Sequence, residues 1–211
     1  PDTGVRLFSG IALNNASGGF NPHAVDHAIK LGGKIVWMPT LAAKNHIDVL
    51  ASGAVKTFPK TAQKMLDPIP LTAFGADGKL LDVVKQILDL IAAGDIILAG
   101  GHLDAAEMIK VFEEAKRRGV NRMLVNHPTF LIGCTDDDIR RLVSIDAQIE
   151  HSICMWVGPK KKFTPEELVH LIEAAVGNAG ALEKLVSSIG YKSDIAPTAL
   201  NETIIMLVVL A

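Results

Sequence analysis

Short, almost continuous apolar runs alternate along the chain with longer runs whose apolar residues recur every three or four positions. The first kind suits a strand covered on both faces and the second an amphipathic helix, so the alternation predicts βα units around a parallel sheet. Predicted strands cover residues 5–13, 34–39, 95–100, 122–126, 147–154 and 185–188. The helices between them carry start signals. Asn21-Pro22 sets a capping side chain before a proline at the first helical position. Asp104 with Glu107, Thr135 with Asp138 and Thr164 with Glu167 have capping-box spacing, and Leu103 and Met108 are placed as a staple across the first of these. Residues 80–93 repeat apolar positions at Leu80, Val83, Val84, Ile87, Leu88 and Ile91, which predicts a helix facing a core.

About six units follow one another with no linker and no shift in composition, so residues 1–211 read as a single α/β domain. Six units suit either an open doubly wound sheet or a (β/α) barrel. An eight-unit barrel typically takes ~250 residues, so a TIM-like barrel here would be incomplete or N-terminally truncated, by about two units. Residues 43–79, with Pro59, Pro68, Pro70, Gly75 and Gly78, read as a long excursion after the second strand, the kind of segment that forms lids or binding loops.

Composition narrows the classes. A chain of 211 residues that is 49% hydrophobic and 21% charged is not disordered. With 21 Lys and Arg against 23 Asp and Glu, and no basic stripe, nucleic acid is not an expected partner. The longest strongly apolar run, residues 204–211, is far short of the ~20 residues of a membrane span. Only Cys134 and Cys154 occur, without CxxC spacing or a secretory leader, and the expected setting is the reduced cytoplasm.

The candidate chemistry lies at strand ends. His102 follows the run 96–101, His127 follows 123–126, and His151 falls within Ile149-Glu150-His151-Ser152. Carboxyl ends of parallel strands share one rim, where residues distant in sequence converge on a ligand. Neutral imidazole suits zinc, manganese, iron or nickel, zinc above all, and His102 and His127 are the expected ligands of a divalent metal ion. A strand-end histidine can also merely bond a neighbouring carbonyl, and His151 shares its place with Glu150, since alternation sends one of the two inward and the other outward. His46, in Asn45-His46 beyond the second strand, lies close enough to the same rim to reach a substrate or an ion. Asn14, in Asn14-Asn15-Ala16-Ser17-Gly18-Gly19, and Ser188, ending the last predicted strand, complete the expected small-molecule contacts with His46 and His151. Ordinary turn chemistry would explain both Asn14 and Ser188 equally well. His23, His27 and His170 fall on predicted helices and read as surface residues, and Asp104 is spent as a helix cap.

Two absences discriminate further. No predicted strand ends in Lys, against a Schiff-base aldolase or a carbamylated lysine bridging two metals. No GxGxxG follows a strand and no GxxxxGK[ST] occurs, against a dinucleotide fold or a P-loop.

The segments Gly33-Lys34-Ile35-Val36-Trp37-Met38-Pro39-Thr40 with Asn45-His46, Gly100-Gly101-His102-Leu103, Val125-Asn126-His127-Pro128 and Ile149-Glu150-His151 resemble an uncharacterised bacterial and archaeal family related to amidohydrolase-type, metal-dependent hydrolases. The resemblance runs from the first strand to Ser188. It implies a TIM barrel in which the first strand here is the third, so that His102 and His127 fall on the fifth and sixth, where such hydrolases carry metal-binding histidines. It also implies a metal-activated water attacking an amide, ester or lactone. Two features depart from that pattern: no His-x-His occurs, and Ile189 stands where relatives carry an Asp after a Ser-Ser pair. These departures favour the competing expectation of a non-catalytic or degenerate barrel that binds a small molecule. Because residues 5–13 read as an interior strand, an upstream segment or a partner copy in a homo-oligomer is expected to cover that edge.

Overall fold

Five strands, β1 Gly10–Ala12, β2 Ile35–Trp37, β3 Ile97–Ala99, β4 Met123–Asn126 and β5 Ala147–Glu150, form one parallel sheet in the order β1-β2-β3-β4-β5. The computed structural model describes residues 8–54, 66–152, 155 and 162–176. The predicted strand at 185–188, with Ser188 and Ile189, and the residue Cys154 lie outside them. A doubly wound sheet reverses its strand order at a switch point, whereas this order never reverses. Right-handed crossovers then place every connecting helix on the same face. The helices α1 Pro22–Lys30, α3 Asp82–Gly94, α4 Ala105–Arg117, α5 Asp136–Ser144 and α6 Pro165–Val176 do pack neighbour on neighbour in chain order, and α2 Lys44–Ala51 lies outside that row. Among the described residues the sheet is open, with five strands.

The register sorts the side chains onto two faces. Ile11, Val36, Leu98, Met123 and Ala147 are aligned across the sheet, and these with Val125 and Ile149 pack in the core beneath the helices. From the helices, Val84, Ile87, Leu88, Ile91, Met108, Val111, Phe112, Ile139 and Leu142 fill the same core and are fully buried. The opposite face carries Ile35, Trp37, Ile97, Leu124, Asn126 and Glu150. On that face a Cβ at Gly10 would strike Ile35 and the Trp37 ring, so glycine lets that ring lie against β1.

Several boundaries differ from the sequence expectation. The strands are shorter than their apolar runs because the ladder ends where the chain turns toward the rim. Asp95, expected to begin a strand, instead closes α3 in a left-handed conformation (φ 45°). Leu80 lies outside α3, in an antiparallel bridge to Phe74, and the helix begins at Asp82. The excursion from 43 is not wholly irregular: its first residues form α2, and Leu71 returns to bridge Ala43. Among the described residues no helix is long and apolar enough to cross a membrane.

Asn21 and Thr135 cap as their spacing predicts, whereas the box at Asp104 closes on one side only, because the Glu107 carboxylate is turned to the excursion. The Asn21 side chain accepts from the His23 and Ala24 amides, Asp104 accepts from the Glu107 amide, and Thr135 with Asp138 closes a reciprocal box. Glu107, three residues into α4, also accepts bonds from the Thr72 hydroxyl and the Ala73 amide, tying the excursion to the helix. Burial raises its carboxyl above the ordinary range, and those two bonds only partly offset the shift.

Candidate functional site

The carboxyl ends of the strands are braced by two asparagines. Asn14, just past β1, donates to the Thr40 hydroxyl (2.7 Å) and accepts from the backbone amides of Thr40 (2.9 Å) and Ala42 (3.0 Å). Its side chain therefore shapes the loop after β2. Asn45, in the first turn of α2, donates to the carbonyls of His102 (3.1 Å) and Leu131 (2.9 Å) and so joins the loops after β3 and β4. Gly101 stands before His102 at φ 61°, where a Cβ would meet the Met38 carbonyl oxygen at 2.3 Å. Only glycine lets the backbone come this close, and the His102 amide then bonds the Pro39 carbonyl (2.9 Å).

These braces gather three imidazoles from three elements. His46 from α2 and His102 beyond β3 are both buried, their rings stacked with centroids 4.8 Å apart and their Nδ1 atoms 2.7 Å apart. The His127 ring lies 5.1 Å from that of His102, tilted by 54°. Two imidazoles on one tetrahedral ion at ordinary metal–nitrogen distances have centroids about 5 Å apart. His127 also has φ 29°, a backbone conformation that costs a non-glycine residue about 1 kcal/mol or more. The tilt of its ring is held by a bond from Nδ1–H to the Phe130 carbonyl (3.1 Å), which leaves Nε2 with the lone pair.

Electrostatics keep the cluster neutral. Burial, with the imidazoles of His127 and His46 beside it, pushes His102 down to about 3, against a smaller upward pull from a hydrogen bond to the Thr40 backbone. Burial lowers His127 and His46 as well, and Glu150 opposes the fall at His127. At neutral pH all three rings are uncharged, and between His46 and His102 one Nδ1–H donates to the lone pair of the other.

Beside them lies a polar pair on the face away from the helices. Asn126 and Glu150 are register partners on β4 and β5, both buried, and Asn126 Nδ2 donates to Glu150 Oε2. Glu150 Oε1 accepts from the Ser152 hydroxyl (2.8 Å). His151 is buried too, its pKa lowered to about 4 by desolvation. β5 ends at Glu150, on the face away from the helices, and His151 is the next residue.

Of the sequence-derived candidates, His46, His102 and His127 come together, His151 lies on the neighbouring strand end, and Asn14 is engaged in bracing the β2 loop. Ser188 lies outside the described residues. His23 and His27 are on α1 and His170 on α6, where it bonds Asp136 (2.9 Å). Asn126, Glu150 and Asn45 were missed as functional residues. The first two stand inside the strand-end segments, but only the register shows that they pair.

Imidazole donors of this kind suit a divalent metal ion. Among the described residues no three His, Cys, Asp or Glu side chains already converge at ligand distances, and His46 and His102 share a hydrogen bond with each other. The donor chemistry does fit. Metal-binding histidines ordinarily tie their second nitrogen to a backbone carbonyl, as His127 does at Phe130, and the His102 ring is likewise held by the Thr40 backbone.

Fold and rim define an α/β protein with a histidine-lined site at the carboxyl ends of a singly wound parallel sheet. Residues 2–150 match the family of unknown function DUF6282, and the chain belongs to that family. A search of the curated proteins finds no match. Among solved structures, a 2,3-dimethylmalate lyase of the PEP mutase/isocitrate lyase superfamily is 11% identical, with TM-score 0.39, over 94% of this chain and 72% of that one. The N-acetylneuraminate lyase of Proteus mirabilis is 14% identical, also with TM-score 0.39, over 81% of this chain and 52% of that one. The chain thus spans about half the length of the second lyase. At these scores the likeness carries neither a barrel closure nor an activity.

Proposed function

We propose that this chain forms a divalent-metal-dependent hydrolase centre of the amidohydrolase type, acting on an amide, ester or lactone, in a (β/α) barrel-type domain of which the described sheet is an arc. The observation that carries the reading is the gathering of three neutral imidazoles, those of buried His46 and His102 and of half-buried His127, from three elements at one strand-end rim. Neutral imidazoles held in a fixed orientation, as His127 is by the Phe130 carbonyl, are the donors that a divalent ion takes. His102 and His127 are the ligands, with zinc favoured and manganese, iron or nickel also suited. His46, first expected to meet substrate, joins them as a third donor.

When bound, the ion would acidify a water and polarise a carbonyl oxygen. The remaining work falls to the chain itself. Glu150, held by Asn126 and Ser152, keeps lone pairs free of those two bonds and is placed to accept a proton beside His127. His127 Nδ1–H, fixed on the Phe130 carbonyl, prevents a tautomer change at Nε2. Asn14 and Asn45 hold the three loops in register. The test is hydrolysis of a panel of amides, esters and lactones by zinc-loaded protein, with and without chelator. Turnover stopped by chelator and absent in His102→Ala is expected, and turnover indifferent to chelator contradicts the proposal.

A further inference from the structure

The amide of Asn126 can stand only one way round. Glu150 is register-paired with it, buried, and takes a bond from Nδ2. Turning the amide over would set Oδ1 against a carboxylate oxygen, so Glu150 fixes Nδ2 toward β5. The other arm, Oδ1, then points away from β5. It is buried and has no hydrogen-bond partner among the described residues. On the β3 side the strand pairing ends with Ala99 opposite Leu124, two residues before Asn126. A buried acceptor left without a donor keeps its full desolvation cost, which a structural asparagine would not ordinarily sustain.

We propose that Asn126 is a specificity-determining residue of this rim: Oδ1 accepts a hydrogen bond from an N–H carried by the ligand, and Glu150 is the positioning residue that keeps the acceptor, rather than the donor, of that amide presented. The inference rests on the rim being a ligand site, as in the proposed hydrolase, but does not require the metal. It selects ligands with an N–H at this point over isosteres carrying an ether-type oxygen or an N-methyl group.

The probes are three rings of nearly equal shape: 2-pyrrolidinone, N-methyl-2-pyrrolidinone and γ-butyrolactone. Their binding to the full chain is measured by ligand-observed NMR titration at millimolar concentrations, in the presence of chelator. The N–H lactam is expected to bind at least about ten-fold more tightly than the other two, a factor of ten being about 1.4 kcal/mol. Asn126→Leu should erase that preference. Glu150→Gln supplies a second readout, because a glutamine can donate as well as accept and so frees the Asn126 amide to turn over. The preference should then vanish or invert, an effect that a merely structural contact would not give. Equal binding of the three rings, no binding of any, or a lactam preference that survives both substitutions overturns the proposal. Since the titration excludes metal, such a failure leaves the hydrolase reading to its own test.

Discussion

Replacing Asn14 by alanine removes three hydrogen bonds at once, and their partners allow the loss to be worked out. Two of the three are backbone amides, Thr40 and the buried Ala42, that share Oδ1; the third is the Thr40 hydroxyl. At about 1 kcal/mol net for each bond, with the Ala42 amide left buried and unsatisfied, the expected loss is about 3 kcal/mol. For a domain of this size that corresponds to roughly 6–12 °C in Tm. Asn14→Asp keeps the oxygen that serves both amides, and the Thr40 hydroxyl can turn to donate to it, so this variant should remain within about 1 kcal/mol of wild type. Thr40→Val loses only the side-chain bond and should cost about 1 kcal/mol. Urea unfolding followed by circular dichroism measures all three. Asn14→Ala within about 0.5 kcal/mol of wild type, or Asn14→Asp as damaging as Asn14→Ala, would refute the bracing role, since the contacts would then carry no net free energy.

Other predictions rest on separate contacts. Gly101→Ala combines a positive φ with a Cβ at 2.3 Å from the Met38 carbonyl oxygen; a loss of about 2 kcal/mol or more in urea unfolding is expected, and a neutral effect would mean that the turn relaxes freely. Phe112→Ala empties a fully buried position on α4 and should cost about 3–5 kcal/mol in the same assay. Glu107 has a raised folded-state pKa, so its contribution to stability is complete below the ordinary value of 4.5 and is lost as pH rises through the folded value. Glu107→Gln keeps an acceptor for Thr72 and Ala73 without that titration. Its stability relative to wild type should therefore climb between pH 4.5 and neutrality and stay flat below, and urea midpoints across that range showing a fall instead would contradict the burial argument.

The strands were legible because Val36, Leu98, Val125 and Ile149 sit in runs that stay apolar on both faces, and the helix starts because Asn21, Asp104 and Thr135 act within three residues of their partners. Placing His102 and His127 on one rim followed from parallel strands alone. What the sequence withheld depends on distance in the chain. The engagement of Asn14 with Thr40, of Asn45 with Leu131 and of Asn126 with Glu150 spans 24 to 86 residues and leaves no periodic trace. Asp95 escaped the strand pattern because helix capping took precedence. The choice between a doubly wound sheet and a singly wound arc became visible only in the strand order.

The metal centre is the central claim, and elemental analysis of the purified chain after equilibration with zinc and gel filtration tests it most directly. About one ion per chain is expected, lost in His102→Ala and in His127→Ala and weakened in His46→Ala, with circular dichroism confirming that each variant is folded. A chain that stays empty after exposure to zinc, manganese and nickel in turn, or a His102→Ala variant that retains the ion, would contradict the account.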